Sequence, residues 1–195
     1  MVSTRESQAL AGGGLDARER CRWLPQSEIV EALKLRPGMN VAEMGAGAGT
    51  FIIPILEVVG SGGQAFAVET APEMLACLRE RAQGYHNFHV VQAPHHATLI
   101  ATGSCDRVLI ANLWAELSDP IAVLREAARL LREDGRLLII DWHARAQCPQ
   151  APSTRIGFRE MVRLLEKNWD IHRHGEVGPH SYFLEAAVCD ESVQS

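Results

Sequence analysis

The sequence predicts an α/β protein built on a mostly parallel sheet, with an antiparallel hairpin at the C-terminal end. Three observations carry this expectation. From about Cys21 onward, short apolar runs alternate with longer helical patterns, the rhythm of β-α units stacked on a parallel sheet. A glycine-rich stretch, Gly45-Ala46-Gly47-Ala48-Gly49, falls between one such run and the helix after it. Near the C-terminus a short turn separates two strand-like runs, and strands joined so closely must pair antiparallel.

The elements follow in order. Asn40 to Met44 reads as the first strand, followed by the glycine stretch and then by Phe51, Ile52, Ile55, Leu56 and Val59, whose spacing makes one apolar helix stripe. Pro54 is tolerated because it falls in the first turn. Gly60 to Gly63 breaks the helix, and Gln64 to Val68 is the second strand. The next helix is expected to start at Thr70, which can cap backbone amides while Glu73 reaches back in a capping box, and to end at Gly84. Asn87 to Gln92 and Arg107 to Ala111 are the third and fourth strands. Ser118-Asp119-Pro120 opens a helix with Ile121, Leu124, Ala128 and Leu131 on one stripe, and Glu133-Asp134-Gly135 stops it. Gly135 to Asp141 is the fifth strand, Ala144 to Ser153 a loop and Phe158 to Lys167 a helix. Trp169 to Glu176 and Tyr182 to Val188 flank the turn at Gly175 to Pro179.

With 195 residues the chain is expected to form one domain over 21–189, preceded by a flexible leader at 1–20 and followed by a tail at 190–195. A hydrophobic content of 47% with 22% charged residues supports a real core. The net charge of −5 argues against nucleic acid or an anionic membrane as partner, since neutralising phosphates needs clustered Lys and Arg. Five scattered cysteines contain no C-x-x-C pair, so neither a zinc pattern nor a disulfide framework is expected. Residues 1–20 lack the apolar core of a secretory signal, and no run of ~18 apolar residues is present. A cytoplasmic protein is the expectation.

Glycines between a strand and a helix let the backbone approach a ligand closely and adopt positive φ. A plain β-α turn needs fewer glycines than the three at alternate positions here. A dinucleotide fingerprint G-x-G-x-x-G needs Gly or Ala where Thr50 stands, which disfavours a nicotinamide oxidoreductase. Glu69, 20 residues past Gly49, is placed to accept hydrogen bonds from a ribose diol at the carboxyl edge of the sheet. An exposed Glu, or one that serves the neighbouring helix cap, is the competing account. Loop and carboxylate together leave the choice among nucleoside cofactors open.

Val41-Ala42-Glu43-Met44-Gly45-Ala46-Gly47-Ala48-Gly49 and Val68-Glu69-Thr70-Ala71-Pro72-Glu73-Met74-Leu75 resemble the first two motifs of class I S-adenosylmethionine-dependent methyltransferases, especially the small-molecule, type 11-like group that includes quinone-biosynthesis C-methyltransferases. Cys105 to Ile110 and Leu130 to Leu137 are similar to two later motifs, and the likeness runs from about Pro25 to Val188. The resemblance implies a Rossmann-like, doubly wound, seven-stranded sheet with its last strand antiparallel. It implies that Glu43, Gly45, Ala46, Gly47 and Gly49 hold the methionine end of S-adenosylmethionine, Glu69 with Thr70 the ribose, and Met74 the adenine. Asn112 and Leu113 would face the methionine moiety and the transferable methyl, and His95 would present its backbone to the adenine edge. One position departs from the family pattern. Where many members carry an Asp that accepts from the adenine amino group, this chain has Pro94, which offers no side-chain acceptor.

Methyl transfer from a sulfonium is an in-line displacement, so the protein must align donor and acceptor and exclude water. An acceptor hydroxyl, phenol or carbon acid also needs a base, and His143, just beyond the fifth strand, is the catalytic candidate. Glu116 and His180 are further candidates, Trp114 is placed either to stack on a planar acceptor or to pack in the core or a lid, and His96 reads as part of a polar loop. Asp141 and His143 make only half a metal site, so no metal is expected. Neither an Asn-Pro-Pro-Tyr or Asp-Pro-Pro-Tyr sequence at Asn112 to Ala115 nor a Pro-Cys nucleophile is present, which favours a small acceptor over the bases of nucleic acid. The substrate lid would come from the segment near Trp23, the loop at Ala144 to Ser153, or the second subunit of a homodimer. The function so inferred is S-adenosylmethionine-dependent methylation of a small hydrophobic or aromatic acceptor. Its rival is a non-catalytic module that binds S-adenosylmethionine or another nucleotide on the same fold.

Overall fold

The computed structural model describes residues 24–147 and 152–189. The expected leader and tail lie outside these residues. Helices are α1 (Gln26–Ala32), α2 (Ile52–Val59), α3 (Pro72–Arg81), α4 (Pro120–Leu130) and α5 (Phe158–Leu165). Strands are β1 (Asn40–Met44), β2 (Gln64–Glu69), β3 (Phe88–Gln92), β4 (Cys105–Ala111), β5 (Leu131–Trp142), β6 (Trp169–Val177) and β7 (Ser181–Val188). Short 3-10 turns occupy Gly60–Gly62 and Trp114–Glu116.

All seven strands form one sheet in the order β3-β2-β1-β4-β5-β7-β6. The first five pair in parallel, and β7 is antiparallel to both β5 and β6. The expected doubly wound sheet with a C-terminal hairpin is therefore observed. Period-two alternation sorts the strand side chains onto two apolar layers. Val41, Leu109, Leu138 and Ile140 pack with α1 and α2, whereas Ala42, Met44, Val108, Ile110, Leu137 and Ile139 pack with α4 and α5. Strand order reverses between β1 and β4, which opens a crevice at the carboxyl edge of the sheet.

Several local expectations are corrected. Helix α1 carries no side-chain cap bond on Pro25 and so gives no start signal in the sequence; it is held by burial of Ile29 and Ala32. Thr70 does not cap α3: the cap position is Ala71, without a side-chain bond, and Thr70 donates its own N–H to Glu69. That helix ends at Arg81, and Gly84 turns the chain beyond it with φ +88°. The Asp119-Pro120 start of α4 is observed, with Asp119 Oδ1 accepting from Ala122 N–H at 3.0 Å. Its buried face differs from the expected stripe: Val123, Leu124, Ala127 and Leu130 are inside, while Ile121 is exposed. The helix also ends before the expected last stripe residue, because Leu131 already pairs with Cys105 as the first residue of β5. The register then jumps to Arg107 opposite Arg136, and the intervening residues form an irregularity where the sequence suggests a loop.

Candidate functional site

A cavity of about 400 Å³ lies at the crevice, walled by the loop after β1, the ends of β2 and β4, the start of α3 and the segment after β3. It gathers Glu43, Gly45, Ala46, Gly47, Glu69, Thr70, Met74, His95, Asn112 and Leu113 from among the residues nominated by sequence. Gly49 and His143 are not in its wall.

The loop is shaped by backbone constraints. The N–H groups of Gly45 and Ala46 both donate to the Val68 carbonyl, at 2.9 and 3.0 Å, which anchors the loop to the end of β2. Gly45 has φ +74°, and a Cβ there would come within 2.7 Å of the Leu113 side chain. Gly47 also has positive φ, +53°, but a Cβ there would meet nothing within 4 Å. Gly45 therefore serves packing against Leu113, and Gly47 leaves open space beside the cavity. Gly49 packs toward α3, where a Cβ would lie 3.1 Å from Leu78.

Glu69 ties these parts together. Its Oε2 accepts from Gly47 N–H at 2.8 Å, and its Oε1 accepts from Thr70 N–H at 2.6 Å and Ala71 N–H at 3.0 Å. The carboxylate is thus the clasp between the glycine loop and the start of α3. The Thr70 hydroxyl also lies 3.4 Å from Oε1, so room for a ligand hydroxyl is at Oε2, which has the single Gly47 donor.

Three of the five buried side-chain polar atoms without a hydrogen-bond partner among the described residues belong to this wall: Glu43 Oε2, His95 Nε2 and Asn112 Oδ1. Such atoms are rare in folded proteins, and their clustering marks a place where a ligand completes the bonding. Burial pushes the Glu43 carboxyl well above the usual carboxylate range; the Ile52 N–H opposes this and the nearby Glu69 charge adds to it. Burial lowers His95 below the ordinary imidazole value, against the opposing pull of Glu69 and with the help of His96. Asn112 adopts φ +53°, a conformation Asn tolerates better than most residues, while its N–H donates to the Ile140 carbonyl at 2.8 Å.

The turn after β4 is fastened from β5. Asp141 is buried and accepts from Trp142 N–H at 2.6 Å and from the Trp114 backbone; burial raises its carboxyl to about 6, with those two bonds opposing. Trp114 packs in the core with only 6% exposure, which selects the core-packing alternative over stacking on an acceptor. Glu116, in the same turn, does line the cavity. His143 instead pairs through Nε2 with the Glu176 carboxylate, and its N–H donates to the His180 carbonyl at 2.9 Å. Its ring stands 5.7 Å from that of Tyr182. Sequence reasoning missed Leu24, Phe51, Ala71, Glu73 and Ala111, which also form the wall. Phe51 adjoins the glycine loop and was within reach of that reading, whereas nothing local marks Leu24.

A family model described as a methyltransferase domain matches residues 42–139, about half of the chain. The chain is 28% identical over 116 residues to a ubiquinone/menaquinone biosynthesis C-methyltransferase of Shewanella woodyi, covering 58% of this chain and 46% of that protein. It is 30% identical over 111 residues to the nocamycin O-methyltransferase of Saccharothrix syringae, covering 56% of this chain and 40% of that protein. The chain thus spans about half or less of the length of these relatives. In three dimensions it resembles a SAM-dependent methyltransferase from Aquifex aeolicus, with a TM-score of 0.84 at 23% identity over 97% of this chain and 100% of that one. The magnesium protoporphyrin IX methyltransferase of Synechocystis, solved with SAH bound, matches with a TM-score of 0.71 at 16% identity over 95% of this chain and 93% of that one. The strand order, the glycine loop at the switch point and the family match together place this chain in the class I S-adenosylmethionine-dependent methyltransferase family.

Proposed function

We propose that the chain holds S-adenosylmethionine in the cavity at Gly45–Glu69 and directs its methyl group to a small hydrophobic or aromatic acceptor. The observation that carries this reading is the set of orphaned polar atoms on Glu43, His95 and Asn112 around one cavity. The cofactor brings N–H donors at both ends, an ammonium and an adenine amino group, and the wall offers unused acceptors. When bound, it supplies an electrophilic methyl carbon on a sulfonium. The protein's part is to position and to exclude water. The open face at Gly47 receives the amino-acid end, with Gly45, Ala46 and Gly49 shaping the loop. Asn112 and Leu113 border the methyl, Glu69 and Thr70 border the ribose, and Met74 covers the base.

Leu24, Phe51 and Leu113 give the cavity apolar walls, which supports an apolar acceptor. Two groups stand as the base for an acceptor that needs one. Glu116 is in the wall, and His143 is held by Glu176 outside it. Isothermal titration with S-adenosylmethionine and S-adenosylhomocysteine, with NAD as control, tests the cofactor assignment, and a screen with labelled methyl groups tests transfer. Selective binding of the first two ligands is the expected result. Binding without transfer to any acceptor would favour the non-catalytic module, and binding of neither by folded protein would sink the methyltransferase reading and leave the module for another nucleotide.

A further inference from the structure

We propose that the amino-terminal edge of the sheet, opposite the cofactor cavity, carries a second site that binds a phosphate group, free or borne on a small molecule, through Lys34, Arg36, Arg107 and Arg136. These four cations line a cavity of about 450 Å³ together with three carboxylates, Asp106, Asp134 and Glu185. Asp106 and Arg107 stand near the start of β4, whereas the cofactor cavity is walled by the loop after β1 and by the carboxyl ends of β2 and β4. The two cavities share no residue, so this site stands or falls apart from the cofactor reading.

The sheet itself forces the cations together. The β4–β5 register sets Arg107 opposite Arg136, and like charges directly opposite on neighbouring strands repel. Burial holds the Arg107 guanidinium below its ordinary value; Glu185 and Asp106 oppose this, while the charges of Arg136 and Arg36 add to it. Two of the three carboxylates are engaged elsewhere. Asp106 accepts from Asn40 N–H through Oδ2 and from Arg132 through Oδ1, each at 2.7 Å. Glu185 takes Arg173 with both oxygens, the Nε bond being 3.0 Å long. That leaves the exposed Asp134 as the one uncommitted carboxylate against four cations.

The donors are also oriented. Arg107 donates through Nε to the Leu33 carbonyl at 2.9 Å and through Nη1 to the Asp106 carbonyl at 2.7 Å. Arg136 donates through Nη1 to the Asp134 and Gly135 carbonyls at 2.9 and 2.8 Å. These bonds fix each planar fork and leave its Nη2 without a partner among the described residues. Closing the end of α1 accounts for Arg107 Nε, but not for Lys34 and Arg36, which stand in the turn after that helix with exposed side chains and no ion pair among the described residues. A carboxylate is satisfied by one bidentate guanidinium, whereas forks from two strands with two further cations from a turn match an oxyanion that carries three or four oxygens. The concave shape, the flanking carboxylates and the chain's net charge of −5 leave no broad cationic face of the kind nucleic acid requires.

The test is titration calorimetry in phosphate-free buffer at constant ionic strength, with pyrophosphate, orthophosphate, methyl phosphate and acetate as probes. The wild-type chain is expected to bind at least one of the phosphate probes at one site per chain and about tenfold or more tightly than acetate. Orthophosphate as the tightest probe assigns the site to free phosphate, and methyl phosphate or pyrophosphate as the tightest assigns it to a phosphate borne on a larger molecule. Arg36→Gln with Arg136→Gln should weaken the preferred probe by about tenfold or more, because two charge-assisted donors are lost. Arg125→Gln with Arg163→Gln removes the same charge from exposed positions outside this cavity and should leave binding within about twofold. Thermal melts verify that both double variants are folded. Wild-type protein that binds no phosphate probe more tightly than acetate, a first variant that binds like wild type, or a control variant that loses as much as the first would overturn the site.

Discussion

At the residue scale, the two glycines that frame the loop make separable predictions. Gly45→Ala adds a Cβ 2.7 Å from Leu113 at φ +74°, combining overlap with backbone strain. A loss of about 2 kcal/mol or more in denaturant unfolding is expected. Gly47 has only the strain, so Gly47→Ala should cost about 1 kcal/mol, whereas Gly47→Phe should abolish cofactor binding by filling the open space while leaving a folded protein. Retained affinity in Gly47→Phe would remove the loop from the site. Asp141 makes a pH-dependent prediction. Its carboxyl is raised to about 6 from 3.8, so the folded state keeps the proton longer than the unfolded chain. The stability this proton brings is complete below about pH 3.8 and is lost as pH rises through about 6. Asp141→Asn cannot ionise, so its stability relative to wild type should rise by up to about 3 kcal/mol between pH 3.5 and 7.5. A flat difference across that range would show that Asp141 is not buried as described.

At the element scale, α4 ties the segment after β3 to one face of the sheet. Asp119 caps its first turn, and Asp119→Ala should cost about 1 kcal/mol without altering ligand affinity. The side-chain hydrogen bond from Arg129 holds the Glu126 carboxyl down at about 2, so what it contributes is present above about pH 4.5 and lost as pH falls through 2. Beyond stability, this carboxylate fastens the segment after β3 to the helix. The elements differ in how much of them is legible locally. Asn40 to Met44 is bounded as its apolar run indicates, and Asp119-Pro120 starts α4 as capping chemistry requires. The capping box at Thr70 misleads because Glu69 takes the Thr70 N–H that Glu73 would have reached back to, and the helix starts one residue later with Ala71 as its cap. The α4 stripe misleads because strand pairing at Leu131 ends the helix before its last apolar residue.

At the scale of the whole molecule, the reversal of strand order at β1 and β4 opens the cavity at the carboxyl edge of the sheet, with Glu116 in its wall and His143 outside it. Glu116→Gln should lower the turnover of an acceptor that needs a base by about 10²-fold or more while leaving S-adenosylhomocysteine affinity within about twofold. His143→Gln should have the smaller effect on turnover, since the ring is engaged with Glu176 outside the cavity wall. The reverse order of effects would restore His143 as the base. Among the described residues no helix is long and apolar enough to cross a membrane.

What the sequence by itself determined is the part of this protein set by short-range chemistry: the alternation of strands and helices, the glycine loop, the closing hairpin and the membership of most nominated residues in one wall. Periodicity, capping and backbone freedom act over a few residues and leave their mark in order along the chain. Only the tertiary structure decided which polar atoms are spoken for. Glu69 is clasped by Gly47, 22 positions away, and His143 is drawn to Glu176, 33 positions away. His95 keeps an unmatched nitrogen, and the segment that carries it is fixed to α4 through Thr98 and Glu126, 28 positions apart. Hydrogen-bond partners depend on which distant groups the folded sheet brings within about 3 Å, and no local pattern encodes that distance.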